Sequence, residues 1–98
     1  MTGLTQAQLE MIASVLSRYK DVTGARLYGS RAKGNFTARS DIDLALLGEI
    51  DRHTLSAIAL DFDESDLPHA VDVLCLAHLR NRALIDHIER VGVEIYTQ

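Results

Sequence analysis

The 98-residue sequence contains one cysteine, one proline and no tryptophan, and aromatic residues make up 5% of it. Cys75 cannot form a disulfide within the chain and lies in an apolar run, so we expect a core residue in a protein of the reducing cytoplasm. No apolar run approaches the roughly 20 residues that a membrane span needs. Because the first residues are polar and lead into a predicted helix, we also expect no secretory leader.

Positive charge is also scarce, since 10 Lys and Arg against 14 Asp and Glu give a net charge of −4. A broad surface that holds nucleic acid needs an excess of basic residues, so we expect no direct nucleic-acid binding. The composition, 47% hydrophobic and 24% charged, is that of an ordinary globular protein. The length predicts a single domain over residues 1–98, without repeats, low-complexity tracts or linkers, that needs help to recognise a large substrate.

Hydrophobic periodicity predicts alternating helices and strands in an α/β (α+β) layer structure. Thr5 and Gln8 have the spacing of a helix-capping box, and Asp51 is a predicted helix N-cap. Gly34 is expected to end a short helix. The predicted helices are 5–20, 31–33, one beginning near residue 51, and 79–91, and the predicted strands are 25–28, 41–47, 70–76 and 93–96.

Three aspartates interrupt the apolar predicted strands. Asp41 and Asp43 are two residues apart, so the period of a strand places both carboxylates on one face. At roughly 4 Å and an effective dielectric constant near 20 they would repel by about 4 kcal/mol, and a hard cation such as Mg²⁺ reverses that repulsion. Asp72 would be costly to bury among Val and Leu without a partner. A metal shared by all three carboxylates, as in two-metal phosphoryl transfer, would supply one.

A glycine-serine turn precedes the paired acids by about ten residues. Gly29 lets backbone N–H groups approach a phosphate, and Ser30 can donate a further hydrogen bond. Arg31 and Lys33 follow, and each either offsets triphosphate charge or lies on a solvated helix face. Ser40 either contacts the substrate or hydrogen-bonds within its own turn.

The remaining polar residues give weaker signals. The four histidines, His53, His69, His78 and His87, have no metal-ligand spacing, so we expect surface or core roles for them. The acidic stretch 61–66 fits either a solvated helix end or a surface that docks onto a basic partner. The tyrosines are expected to pack, although modification of an exposed tyrosine by the protein itself stays open.

Taken in order, the segments 27–34, 40–44 and 71–73 closely resemble the signature of the DNA polymerase β-like nucleotidyltransferase superfamily, and most closely its minimal, single-domain branch. The resemblance implies a mixed, twisted sheet with helices mainly on one face. It also implies that Gly29 and Ser30 bind the β- and γ-phosphates of a nucleotide. By the same resemblance, Asp41 and Asp43 hold two Mg²⁺ ions, which Mn²⁺ could replace, and Asp72 completes one metal site and helps to activate the acceptor hydroxyl.

The same resemblance implies a function and a partner. Members of the minimal branch often pair, as antitoxins, with all-helical HEPN proteins, and some transfer AMP from ATP to a tyrosine of that partner. We therefore expect a nucleotidyltransferase that takes ATP or another NTP and modifies a HEPN-type toxin. Two alternatives stay open: a non-catalytic nucleotide-binding module that masks its partner, and transfer to a small molecule such as an aminoglycoside.

Overall fold

The computed structural model describes residues 2–98. The helices are α1 (Gln6–Leu16), α2 (Ser30–Lys33), α3 (Arg52–Asp63) and α4 (Arg82–Val91). The strands are β1 (Gly24–Tyr28), β2 (Ile42–Leu47), β3 (Val71–Cys75) and β4 (Val93–Thr97), and a short 3-10 helix, Leu76–His78, follows β3.

The strands form one four-stranded sheet in the order β3-β2-β1-β4. Strand β1 runs antiparallel to both of its neighbours, β2 and β4. Strand β2 runs parallel to β3, and α3 lies between them in the chain, because a parallel pair needs a crossover connection. The sheet is therefore mixed, and the predicted α+β fold class is confirmed.

Side-chain alternation gives the sheet two different faces. On one face the inward side chains of β1 and β2 are fully buried against α1 and α3, which contribute Ile12, Leu16, Ile58 and Phe62 to the same cluster. Tyr28 and Asp43 alternate with these residues and lie on the opposite face. There Tyr28 contacts His87 of α4, so two of the three long helices cover one face and α4 flanks the other.

The termini of the helices follow the predicted capping signals. Thr5 and Gln8 form both bonds of the capping box at the start of α1. The Asp51 carboxylate accepts a hydrogen bond from the Thr54 N–H at 2.7 Å, which confirms it as the N-cap of α3. Gly34 ends α2 in the left-handed conformation, with a φ of 89°.

Several element boundaries differ from the predicted ones, most of them by one residue. Helix α1 ends at Leu16 instead of continuing to residue 20, because the next turn is a tighter one that brings the Tyr19 hydroxyl to Asp61 of α3. Strand β2 begins at Ile42, so Asp41 lies just before it. Helix α4 begins at Arg82 instead of residue 79, because the Asn81 side chain caps it by accepting from the Leu84 N–H.

Cys75 is a free thiol at the end of β3 and is 2% exposed, so its predicted core role is confirmed. Across residues 2–98, none of the helices has the length and apolar character needed to cross a membrane.

Candidate active site

Three polar side chains form a row across neighbouring strands on the face opposite the main core. Tyr28 of β1 is the register partner of Asp43 on β2, and Asp43 is the register partner of Asp72 on β3. Directly opposed residues point to the same side of a sheet, with Cβ atoms about 5 Å apart in an antiparallel pair. The sheet therefore places the two predicted strand carboxylates next to each other, with a phenol beside them.

The pKa of the Asp43 carboxyl is raised above its usual value. Partial burial is the largest cause, followed by the charges of Asp72 and then Asp41. Burial, followed by the charges of Asp43 and Asp72, raises the pKa of the Tyr28 hydroxyl to about 12. Both shifts have the direction expected of acidic groups that are partly buried beside other carboxylates.

The chemistry of this donor set fits a hard divalent cation. Asp41 is exposed in the loop immediately before β2, and Asp72 is exposed on β3 at the edge of the sheet. Within residues 2–98 no three His, Cys, Asp or Glu side chains are already gathered into a metal-binding group. Carboxylate oxygens are the ligands that Mg²⁺ prefers, and two adjacent carboxylates with a third close by supply them. The residues present therefore fit the ion, although their side chains would have to converge on it.

Gly29 begins the predicted phosphate-binding turn directly after β1. Its φ of 75° and ψ of −152° lie in a region that is almost exclusive to glycine. A Cβ at this position would overlap the Asp43 carboxylate, whose Cγ would be 3.3 Å away. Only glycine can therefore bring the turn this close to the carboxylates. Ser30 follows as the first residue of α2, and Lys33 is exposed at the end of that helix.

Arg31 is buried within the protein, and all three of its guanidinium nitrogens are hydrogen-bonded to backbone carbonyls. Its side chain is 2% exposed, and its Nε and Nη2 atoms donate to the Ser40 carbonyl at 3.2 and 3.0 Å. Nη1 donates to the Thr2 carbonyl at 2.9 Å, and the guanidinium lies 5.1 Å from the centre of the Phe36 ring. The predicted phosphate contact of Arg31 is therefore corrected: the buried guanidinium holds the loop that leads into Asp41.

Ser40 is part of the same loop. Its hydroxyl accepts a hydrogen bond from the Thr37 N–H at 2.9 Å, and its carbonyl accepts both bonds from Arg31. Of the two roles left open by the sequence, the structure gives Ser40 the one within the turn. Together, Arg31 and Ser40 fix the loop from which Asp41 projects.

A concave region lies elsewhere on the protein. It has a volume of about 580 Å³ and is found at the carboxyl end of β3, whereas Asp72 lies near the amino end of that strand. It contains none of the predicted site residues, so we do not assign the chemistry to it. Its lining consists of Asp51, Arg52, Ala77, His78, Leu79 and Arg80.

The family model described as "Polymerase beta, Nucleotidyltransferase" matches residues 10–98, which include all of the predicted site residues. The chain belongs to this nucleotidyltransferase family. No curated protein matches it.

The solved structures that resemble this nucleotidyltransferase share its fold. A chain of a toxin-antitoxin crystal structure with AMP-PNP has a TM-score of 0.75 at 22% identity, over 92% of this chain and 73% of that one. A chain of the tri-AMPylated Shewanella oneidensis HEPN toxin in complex with MNT antitoxin has a TM-score of 0.72 at 20% identity, over 97% and 74%. A chain of a crystal structure from Sulfolobus solfataricus has a TM-score of 0.59 at 19% identity, over 92% of this chain and 77% of that one.

Two histidines of this nucleotidyltransferase lie at or near the site, which the sequence did not predict. His87 of α4 contacts the Gly29 turn through its ring nitrogen Nε2, although 58 positions separate the two residues. His69, in the loop before β3, has Nδ1 3.4 Å from Nη2 of Arg31. Neither residue belongs to a recognisable spacing pattern, so only the tertiary structure could reveal these contacts.

Proposed function

We propose that this protein is a Mg²⁺-dependent nucleotidyltransferase that moves AMP from ATP to a hydroxyl group of a protein acceptor. The observation that carries the proposal is the register pairing of Asp43 with Asp72, next to a turn that only glycine can form. Paired carboxylates beside a phosphate-binding turn are the parts that in-line transfer of a phosphoryl group requires.

The Gly29-Ser30 turn is the proposed site of the β- and γ-phosphates. The absence of a side chain on Gly29 lets the phosphates approach the backbone N–H groups, and the Ser30 hydroxyl can donate to a phosphate oxygen. Lys33 is exposed on the same short helix and supplies positive charge near the triphosphate. With Arg31 buried, Lys33 is the cationic side chain of α2 that remains free to do so.

Asp41, Asp43 and Asp72 would hold Mg²⁺. When bound, the ion would neutralise phosphate charge and lower the pKa of the acceptor hydroxyl. Asp72 is exposed at the edge of the sheet, where it can take the proton of an acceptor that approaches from solvent. The acceptor oxygen then forms a bond to the α-phosphorus, the bond to the bridging oxygen breaks, and pyrophosphate leaves on the side of Ser30.

A tyrosine of a HEPN-type toxin is the proposed acceptor. Support comes from two structures of the same fold, one a toxin-antitoxin structure with AMP-PNP and the other an AMPylated HEPN toxin in complex with an MNT antitoxin. The location of Asp72 on an edge strand is consistent with a side chain presented by a large partner. In this role the protein is an antitoxin that acts by AMPylation.

One experiment separates this enzyme from a module that neutralises its partner by covering it. The double variant Asp41→Asn, Asp43→Asn removes both charges while keeping the side-chain size, and Asp21→Asn, an exposed acid outside the site, is the matched control. The enzyme proposal predicts that the double variant loses both AMP transfer and neutralisation of the toxin. Neutralisation that survives without transfer would support masking.

A further inference from the structure

A long-range hydrogen bond links α4 to the start of the proposed phosphate-binding turn. His87 Nε2 accepts a hydrogen bond from the backbone N–H of Gly29 at 3.3 Å. The imidazole also lies edge-on to the Tyr28 ring, with 6.3 Å between ring centres and an angle of 84° between their planes. The half-buried His87 side chain therefore contacts two consecutive residues at the end of β1.

The turn needs external support, because little within the segment fixes it. Gly29 is held in one unusual backbone conformation in the folded protein. Glycine samples many conformations in the unfolded chain, so it loses much conformational freedom when the turn forms. Helix α2 is four residues long, and no side chain caps its start. Asp43 packs closely against the Cα of Gly29, and His87 bonds to its N–H. Contacts from two separate elements, β2 and α4, thus fix Gly29.

We propose that His87 is a positioning residue for the triphosphate-binding turn. By holding the Gly29 amide, its imidazole fixes the distance between the Ser30 hydroxyl and the carboxylates of the proposed metal site. The inference deepens the proposed function and rests on it, because a positioning role for the turn has meaning only if the turn binds a nucleotide. His87 acts through Gly29 and takes no part in the proton transfer assigned to Asp72.

The bond requires one particular form of the imidazole. A ring nitrogen that accepts a hydrogen bond carries no proton, so His87 must be neutral with its proton on Nδ1. The ¹⁵N chemical shifts of the His87 ring in the wild-type protein distinguish this tautomer from the other one and from the imidazolium. The proposal predicts the Nδ1–H form at neutral pH, and a measurement of this kind needs no variant.

Two substitutions separate the hydrogen bond from the aromatic contact. His87→Gln keeps an acceptor near the position of Nε2 but removes the ring, whereas His87→Phe keeps a ring against Tyr28 but removes the acceptor. The loss of one hydrogen bond corresponds to about 3- to 10-fold in an equilibrium constant. We expect His87→Phe to raise KM for ATP by about this factor with kcat changed less than about twofold, and His87→Gln to remain near wild type. His53→Phe, at an exposed histidine of α3, is the matched control and is expected to change neither constant.

Equal KM values in wild type and His87→Phe, or equal impairment of the Gln and Phe variants, would overturn the proposal. If the Phe variant fails to fold, the tautomer of His87 in the wild-type protein and the KM of the Gln variant for ATP still test the proposal. A protonated Nε2 in the wild type would also refute it. These failures differ from failure of the proposed function, which would appear as a wild-type protein that neither binds nor transfers ATP.

Discussion

Asp43 and Asp72 lie side by side on the parallel strands β2 and β3. Burial and the two neighbouring carboxylates raise the pKa of Asp43, with Asp72 as the larger electrostatic contributor. Like charges that lie directly opposite each other lower the stability of a sheet. A pairing of this kind is typical of a functional site, because a bound cation converts the cost into binding energy.

The first prediction concerns the pH dependence of stability without a divalent ion. Because the pKa of Asp43 is raised on folding, its contribution is most favourable below its unfolded pKa and is lost as the pH rises through the folded pKa. The free energy of unfolding of Asp43→Asn should therefore exceed that of wild type by an amount that grows as the pH rises above about 4. The carboxyl is partly exposed, so we expect a difference below about 1 kcal/mol.

Urea unfolding in EDTA from pH 3.5 to 7 measures this difference. Asp51→Asn provides a contrast of opposite sign, because its hydrogen bonds to Thr54 lower the pKa of Asp51. The stability that the Asp51 carboxylate contributes is present above its unfolded pKa and is lost as the pH falls through the folded pKa. A difference between wild type and Asp43→Asn that stayed constant across this range would contradict the electrostatic description of the site.

The second prediction concerns the glycine of the turn. Gly29→Ala should lower the free energy of unfolding by about 1–3 kcal/mol, because alanine is strained at this φ and ψ. It should also abolish nucleotide binding, because the new Cβ would push the Asp43 carboxylate aside. Thermal unfolding and titration with AMP-PNP measure the two effects.

Gly34→Ala is the matched control for that substitution. Gly34 also has a positive φ, 89°, but a Cβ there would meet no atom within 4 Å. We expect a stability loss of about 1–2 kcal/mol from backbone strain alone, with nucleotide affinity retained. Similar loss of affinity in both variants would show that general destabilisation, not the proximity of Gly29 to Asp43, is responsible.

The third prediction separates Arg31 from Lys33. Arg31→Ala leaves the partly buried Ser40 and Thr2 carbonyls without their charged donor and should cost about 2–4 kcal/mol of unfolding free energy. Lys33→Ala removes an exposed side chain and should change stability by less than about 0.5 kcal/mol while weakening ATP binding. Chemical denaturation and calorimetric titration of both variants measure these effects. If Arg31→Ala were fully stable but could not bind ATP, the corrected role of Arg31 would be wrong.

The order of elements could be predicted from the sequence because its signals are local. The apolar runs around Asp43 and Asp72, the capping box at Thr5 and the left-handed turn at Gly34 each depend on residues close in the chain. The predicted bounds of all four strands lie within about one residue of the observed ones. The predicted α1 was too long because its end depends on a contact between Tyr19 and Asp61 of another helix.

The candidate site was only partly predictable for the same reason. The proximity of Asp43 and Asp72 was predicted from the cost of burying an unpartnered acid and from the family resemblance. Neither argument could show that Arg31 is buried beneath the loop before Asp41. An arginine next to a phosphate-binding turn looks like a ligand in any one-dimensional pattern. The contact between His87 and Gly29 depends on the packing of α4 against the sheet, and no local signal reports that.

Transfer of the α-phosphorus tests the central claim most directly. The protein is incubated with Mg²⁺ and a HEPN-type toxin in two parallel reactions, one with ATP labelled at the α-phosphate and one with ATP labelled at the γ-phosphate. The account predicts that the α-label becomes attached to a toxin tyrosine and that the γ-label is released in pyrophosphate. It also predicts that EDTA or Asp72→Asn abolishes both the labelling of the toxin and the release of pyrophosphate. Label from the γ-position on the toxin, or α-label transfer that persists in Asp72→Asn, would contradict it.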